Sequence, residues 1–502
     1  MVALLRASPA ADLMDRIAAE RAAALPDAAL IRDYRAYLLG KQLDPRTIRQ
    51  RALFPELEVH AFCDNVCRRV VLTPANRLTL ARFDVEGEGT TTEAVKAFLD
   101  DLGMRNRLNA LVTAINAATL RDGDHAVALR WVDGAVRLIR EKWWDGYEGV
   151  FLKYDDDDRP DYAVKEWAEV ADGRIIRRRV VQFPDRFERY ASEDGQRWLM
   201  VNLPEDGVPD GSPVPYTVPD RNGISQPDGE PLGIPLVHFS NQLIPNDGAG
   251  GSDGVRADSR YGQSILGGGV LGIQDRINLV HFDITSTSSF NGTQMLWATG
   301  VELPIDPDTK LPIDFAVIPG AFVTSPKADA NFGAFPAGGV ATHEAALRIL
   351  KESLSQATGL PYVMLAGDTP SGEALMRMEA DLGEMVDKLG ELFGPSYAAL
   401  AHKATRLGNA YGKAGIDEDL RIDAAFAPSQ RSNPLAIAQQ LGYLIEAEGR
   451  REALKDSGKN PDEVERIMAD LAEEGAARSE LTARAFNAGQ LAPVADGAPG
   501  QL

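Results

Sequence analysis

Residues 342–393, THEAALRILKESLSQATGLPYVMLAGDTPSGEALMRMEADLGEMVDKLGELF, read as a helix, a short loop and a long helix. The first part spaces Leu347, Leu350, Leu354 and Ala357 three or four residues apart, along one helix face. Thr342 suits the N-cap and Glu344 the positive end of the helix dipole, while Gly359 and Pro361 stop the helix. The loop over residues 360–369 carries a single charge, Asp368. Thr369 can cap the next helix, with Pro370 at its first position, where a missing N–H costs nothing. Leu375, Met378, Leu382, Met385, Leu389 and Leu392 then alternate steps of three and four, a seam narrow enough for packing against another helix. Gly394-Pro395 is expected to break or kink that helix.

A second seam lies upstream. Leu266, Val270, Ile273, Ile277, Val280 and Ile284 step by four and three through a helix expected over residues 261–290. At about 1.5 Å per residue this rod spans roughly 40 Å, and the one over 342–358 roughly 25 Å. Between them, residues 291–339 are rich in Pro, Gly and β-branched residues and show no helical period. They read as a small β-containing module between two rods. Such seams are expected to need partners, which a closed head-to-tail ring supplies.

Toward the N-terminus, helices are expected over residues 12–24, 28–39 and 62–69, the last running into Val70, Val71 and Leu72. One long helix is expected over 92–120, with Gly103 as a weak point. From 125 to about 240 the pattern is β: 125–132, 135–139, 149–154, 162–167, 174–183, 187–190, 198–202 and 232–240. Asp155–Asp158 reads as a hairpin tip; it lacks the glycine and distal glutamate of a calcium loop. Residues 204–230 read as a surface loop and 246–254 as a hinge. A strand over 421–426 precedes helices over 434–456, 461–475 and 480–487, and residues 490–502 are expected to be disordered.

The 502-residue chain carries a net charge of −21. That disfavours tight nonspecific binding to nucleic acid but suits a surface past which duplex DNA slides. No apolar run of membrane-spanning length occurs, and residues 1–6 are too short and too quickly polar for a signal peptide, so synthesis in the cytoplasm and no membrane contact are expected. Cys63 and Cys67 read as free thiols, with no second pair to complete a zinc site. Gly267, Gly269 and Gly272 match a dinucleotide fingerprint in letters only, since no strand precedes them. Ser371-Gly372 lacks a nucleophile elbow, and His281, His343 and His402 are scattered. Trp143, Trp144 and Tyr147 read as packing rather than base stacking. No catalytic, cofactor or metal site is expected.

The order of these stretches resembles the portal proteins of tailed bacteriophages, of the type found in long-tailed phages and their prophages. The resemblance covers most of the chain. It rests on Tyr34-Arg35-Ala36-Tyr37-Leu38-Leu39-Gly40-Lys41, Asn65-Val66-Cys67-Arg68-Arg69-Val70-Val71 and Gly233-Ile234-Pro235-Leu236-Val237-His238-Phe239 with Asn241. It continues through Gly262-Gln263-Ser264-Ile265 and Gln274-Asp275-Arg276-Ile277-Asn278. The most specific pieces are Thr358-Gly359-Leu360-Pro361 and Pro370-Ser371-Gly372-Glu373-Ala374-Leu375, while Phe426 departs from the Trp that relatives often carry.

The resemblance implies an α+β portal fold with an α/β wing (residues 1–255 and 370–433), a two-helix stem (256–290 and 340–359) and a β-containing clip (291–339). It also implies a tunnel loop (360–369) and a helical crown (434–489). It implies a ring, usually dodecameric, at one capsid vertex of the virion, assembled in the host cytoplasm. Its partners would be the terminase large subunit, a head-completion or adaptor protein, scaffolding and major capsid proteins, and double-stranded DNA passing without sequence preference. Candidate channel positions are Asp275, Arg276, Asp283, Arg348, Lys351 and Glu352 on the stem, with Tyr362, Met364 and Asp368 in the tunnel loop. The alternatives are another head–tail connector or minor capsid protein, and an enzyme with an unrecognised site.

Overall fold

Local signals set the first helices of the computed structural model, which describes residues 9–87, 89–171, 173–202, 211–215, 233–243, 260–292, 296–300, 329–334, 341–366, 372–412, 414–427, 460 and 464–469. Helices α1 (Pro9–Ala24) and α2 (Leu30–Leu38) turn Ile17, Ile31 and Tyr37 inward. α3 (Ile48–Leu53) starts on a capping box: Thr47 Oγ1 accepts from Gln50 N–H, and the Gln50 side chain accepts from Thr47 N–H. Asn65 caps α4 (Val66–Arg77), its Oδ1 accepting from Arg68 N–H at 3.1 Å. α4 continues through Val70 and Val71 and past Pro74, beyond the helix expected over 62–69. Burial of Val66, Val70, Val71 and Ala75 on one side outweighs the poor helix propensity of the β-branched residues.

Strand β1 (Leu80–Val85), which the sequence reading did not find, leads to α5 (Thr90–Asn106) and α6 (Leu108–Asp122). One long helix was expected here. The chain breaks instead at Arg107, which sits in the left-handed region at φ +50°. The bend lets Val95, Leu99 and Leu102 of α5 and Val112, Ile115 and Leu120 of α6 enter one core.

The strands that follow are β2 (Asp124–Val132), β3 (Ala135–Glu141), β4 (Gly149–Tyr154), β5 (Pro160–Ala171), β6 (Arg174–Gln182), β7 (Arg186–Ser192), β8 (Leu199–Met200), β9 (Val214–Pro215) and β10 (Leu236–Ser240). They match the β pattern expected from the sequence apart from shifted ends and β9, which falls within the surface loop expected over 204–230. They form two antiparallel sheets among the described residues. One has the order β10-β2-β3, with Val237 opposite Val127 and Ala128 opposite Ile139. The other is the meander β4-β5-β6-β7-β8, with β9 on β7.

The chain then enters α7 (Val270–Gly292), the antiparallel pair β11 (Leu296–Thr299) and β12 (Asn331–Ala334), α8 (Ala341–Thr358), α9 (Tyr362–Ala366), α10 (Gly372–Gly412) and β13 (Ile422–Phe426), which pairs with β1. Three expectations change here. α7 starts at Val270, because Gly268 and Gly269 take positive φ and form a turn ahead of it. Residues 362–366 of the expected loop are helical. α10 passes unbroken through Gly394-Pro395, with Phe393 and Tyr397 fully buried on either side holding it in the core.

Two hydrophobic cores organise residues up to Ser429. One gathers α2, α4–α6, the β2–β3–β10 sheet, α7, the end of α8, α9, α10 and β13. The other sits under the meander, where Met14 and Ile17 meet Phe151, Tyr162 and Tyr190. Residues 430–502 form a second compact unit, of which 464–469 are helical, with Val464 buried. The expected surface loop and hinge lie largely outside the described residues, as do Asp368, most of the β-containing insert, most of the C-terminal helices and the tail.

Candidate functional site

The two helices α7 and α8 pack on each other, and the charges that meet across them show the direction. His281 feels the charge of Lys351, while Asp283, further along α7, feels His343, earlier on α8. The helices therefore run antiparallel, with the β11–β12 pair closing their far end.

The near end is a joint, built from the short motifs singled out in the sequence. Asn241, after β10, donates its N–H to the Gly123 carbonyl at 2.8 Å and its Nδ2 to the Gln263 carbonyl at 2.7 Å. Gly262 N–H donates to Asp124 Oδ1 at 3.0 Å, and Ile265 N–H to the Leu120 carbonyl at 2.9 Å. Ser264 Oγ donates to the Arg121 carbonyl. A Cβ on Gly262 would lie 2.5 Å from Asn241 N, so only glycine lets these backbones touch.

On α7 itself, Gln274 Oε1 accepts from Val66 and Cys67 N–H at 3.0 and 3.1 Å, satisfying the first amides of α4. Its Nε2 donates to the Asp64 carbonyl and to Asn278 Oδ1, and Asn278 in turn donates to Gln42. At the end of α8, Gly359 takes φ +69°, and Ser355 Oγ donates to the Leu360 carbonyl at 2.6 Å. The turn seats Leu360 in the core and starts α9.

The candidate channel residues divide. Asp275 points into its own chain: Tyr37 Oη donates to it at 2.6 Å, and desolvation raises its pKa against the opposing effect of that hydrogen bond. Burial also raises the carboxyl of Asp283. Lys351 pairs with Asp64 at 3.8 Å, and its side chain is only 16% exposed. Arg276, Arg348 and Glu352 are exposed; Arg348 and Glu352 form an i,i+4 pair at 3.9 Å. Tyr362 and Met364 on α9 are half-buried. The solvent face of α8 thus presents Glu344, Arg348 and Glu352, of mixed sign, with Ile349 beside them.

The seams divide as well. Leu266, Val270, Ile273 and Ile277, as well as Leu354, Leu382 and Leu389, are buried by the chain itself. The outer part of the stem seams, Val280 and Ile284 on α7 and Leu347 and Leu350 on α8, is only half-buried. The large apolar residues left exposed include Leu39, Leu43, Ile48 and Leu53 near α3, Val170 and Ile175 on the β5–β6 hairpin, and Ile349.

Other motifs find local roles. Trp143 stacks on His238 at 4.7 Å, and Trp144 lies under the Arg21 guanidinium. Arg260 reaches the Asp155–Asp158 tip, donating to Asp158 Oδ1 at 3.1 Å. Burial pushes the thiols of Cys63 and Cys67 up to about 11 and about 12, leaving both protonated. Sequence reasoning missed Lys403. It is half-buried on α10, donates to the Ile234 and Leu236 carbonyls at 2.7 Å each, and is lowered by desolvation to about 8.

No protein-family model matches the chain, and no curated protein matches it. Among solved structures it is similar to a chain in the neck of a native gene transfer agent particle computed with C12 symmetry. That likeness has a TM-score of 0.40 and 12% identity over 79% of this chain and 90% of the other. A chain in the neck of the empty particle, computed with C6 symmetry, gives 0.39 and 10% identity over 76% and 85%. A chain in the virion of the native particle gives 0.36 and 12% identity over 76% and 85%. At these values the likeness bears no weight of its own, and the functional reading rests on the chain's residues.

Proposed function

We propose that the chain is the subunit of a portal ring at one capsid vertex. It forms a conduit for double-stranded DNA during packaging and ejection, and a platform for the terminase large subunit and head-completion proteins. In this reading it performs no catalysis. One observation carries the proposal. A mixed helix-and-sheet body gives off two antiparallel helices, closed at their far end by a strand pair, and recovers the chain through α9 and the 41-residue α10. Every quoted motif from Tyr34 to Leu360 serves the joint or the core beside it.

Charge agrees with a conduit. A chain of net −21 offers few strong anchors to phosphate, and the exposed face of α8 mixes signs. The test is genetic. Particles assembled without this chain should contain no DNA, and supplying it in trans should restore filling. DNA-filled particles in its absence would overturn the proposal.

A further inference from the structure

Strand β1 is paired on one side only among the described residues. Its register against β13 sets Val85 opposite Ile422, Asp84 opposite Asp423 and Phe83 opposite Ala424. One step beyond, Glu86 N–H donates to the Arg421 carbonyl at 3.0 Å. Antiparallel ladders alternate, so Asp84 turns its peptide groups toward β13 while Phe83 and Val85 turn theirs away. No described residue pairs with those outward groups. An open edge of this kind is a template for another strand.

Beside the edge runs a groove of about 500 Å³, between β1 and the α5–α6 bend. Leu80, Leu99 and Leu108 give it an apolar floor, and Met104, 74% exposed, forms one wall. Arg107 stands at its rim, exposed and with no ion pair among the described residues. Alternating N–H and C=O groups match an extended polypeptide backbone. A helix has spent those groups internally, and DNA has none to offer.

We propose that β1 and this groove receive an extended segment of a partner protein, added as a strand beside β1. Its apolar side chains, at every second position, would meet Leu99, Met104 and Leu108, and a carboxylate would reach Arg107. This stands independently of the ring reading, since it needs only the edge left unpaired among the described residues and the groove.

The test uses the full-length protein and a short blocked peptide of alternating Val and Thr with one Glu. Residue-resolved hydrogen exchange should slow at the Phe83 and Val85 amides by at least about tenfold on peptide addition, with Asp84 unchanged. N-methylating the peptide on the edge that faces β1 should abolish the effect; N-methylating the opposite edge should not. Met104→Asp, a change at an exposed side chain, should weaken binding. Arg107→Glu should weaken it too, and a peptide with Lys in place of Glu should restore it. Unchanged exchange at Phe83 and Val85, or equal loss from both N-methylated peptides, would overturn the proposal. So would protection that grows with protein concentration alone, which would give the edge to a second copy of this chain.

Discussion

Gln274 carries more of the joint than any charged residue on α7. Its side chain is fully buried, and its Oε1 serves two amides at the start of α4. Gln274→Leu keeps the bulk, leaves the Cys67 amide unpaired and leaves Val66 N–H only the Asp64 carbonyl at 3.0 Å, which should cost about 1–3 kcal/mol in denaturant unfolding. An unchanged midpoint would mean that those amides find other partners. His125 gives a second handle. It is fully enclosed, neither ring nitrogen has a partner among the described residues, and desolvation, reinforced by nearby Arg140 and Arg121, lowers its pKa to about 3. The unfolded chain takes up a proton at His125 below about pH 6.5 and the folded chain does not, so this contribution to stability falls as pH drops from about 6.5 toward 3. His125→Leu should therefore lose less thermal stability than the wild type between about pH 7 and pH 5; equal losses would refute this. The sequence marks Gln274 and Asp275 as part of a motif but not what they do. A polar residue on a helix looks the same whether it faces solvent or serves the backbone of another segment. Asp275 is such a residue: its place on α7 gives no sign of the hydrogen bond it accepts from Tyr37.

Among the elements, the joint before α7 is held by backbone against backbone. Gly262→Ala would push a Cβ to 2.5 Å from Asn241 N and should cost about 3 kcal/mol or more, read as a large drop in melting temperature. A neutral effect would mean that the joint is slack. The α5–α6 bend makes the opposite prediction. Arg107 pays for its left-handed backbone, and Arg107→Gly should raise stability by about 1 kcal/mol in the absence of any bound partner; destabilisation would contradict this. The helical and strand periods were legible because burial follows them, as in Val270, Ile273 and Ile277. The ends were less so. Gly103 looked like the weak point of a long helix, yet it stays helical, and the break falls at an arginine that propensity does not flag. Pro395 looked like a stop, yet buried neighbours carry α10 through it. β1 was missed because its partner β13 lies over three hundred residues away, beyond any local pattern.

For the molecule as a whole, the order of elements is readable in the sequence, but how far one chain covers its own seams is not. The sequence shows apolar seams; it does not show that the chain itself buries their inner part, Val270, Ile273, Ile277 and Leu354, while Val280, Ile284, Leu347 and Leu350 stay half-buried. Ile48, Val170 and Ile175 are exposed as well and are further candidates for contacts between copies in the proposed ring. Charge gives a prediction at this scale. With a net charge of −21, the purified protein should show no tight duplex binding at about 150 mM salt in a fluorescence anisotropy titration, and strong salt-dependent binding would contradict the conduit picture. The central claim is that copies of this chain close into a ring around an opening. Electron micrographs of the purified full-length protein test it most directly. The account predicts closed rings with a central hole wide enough for a DNA duplex; single 54.3 kDa particles at every concentration, or assemblies with no opening, would contradict it.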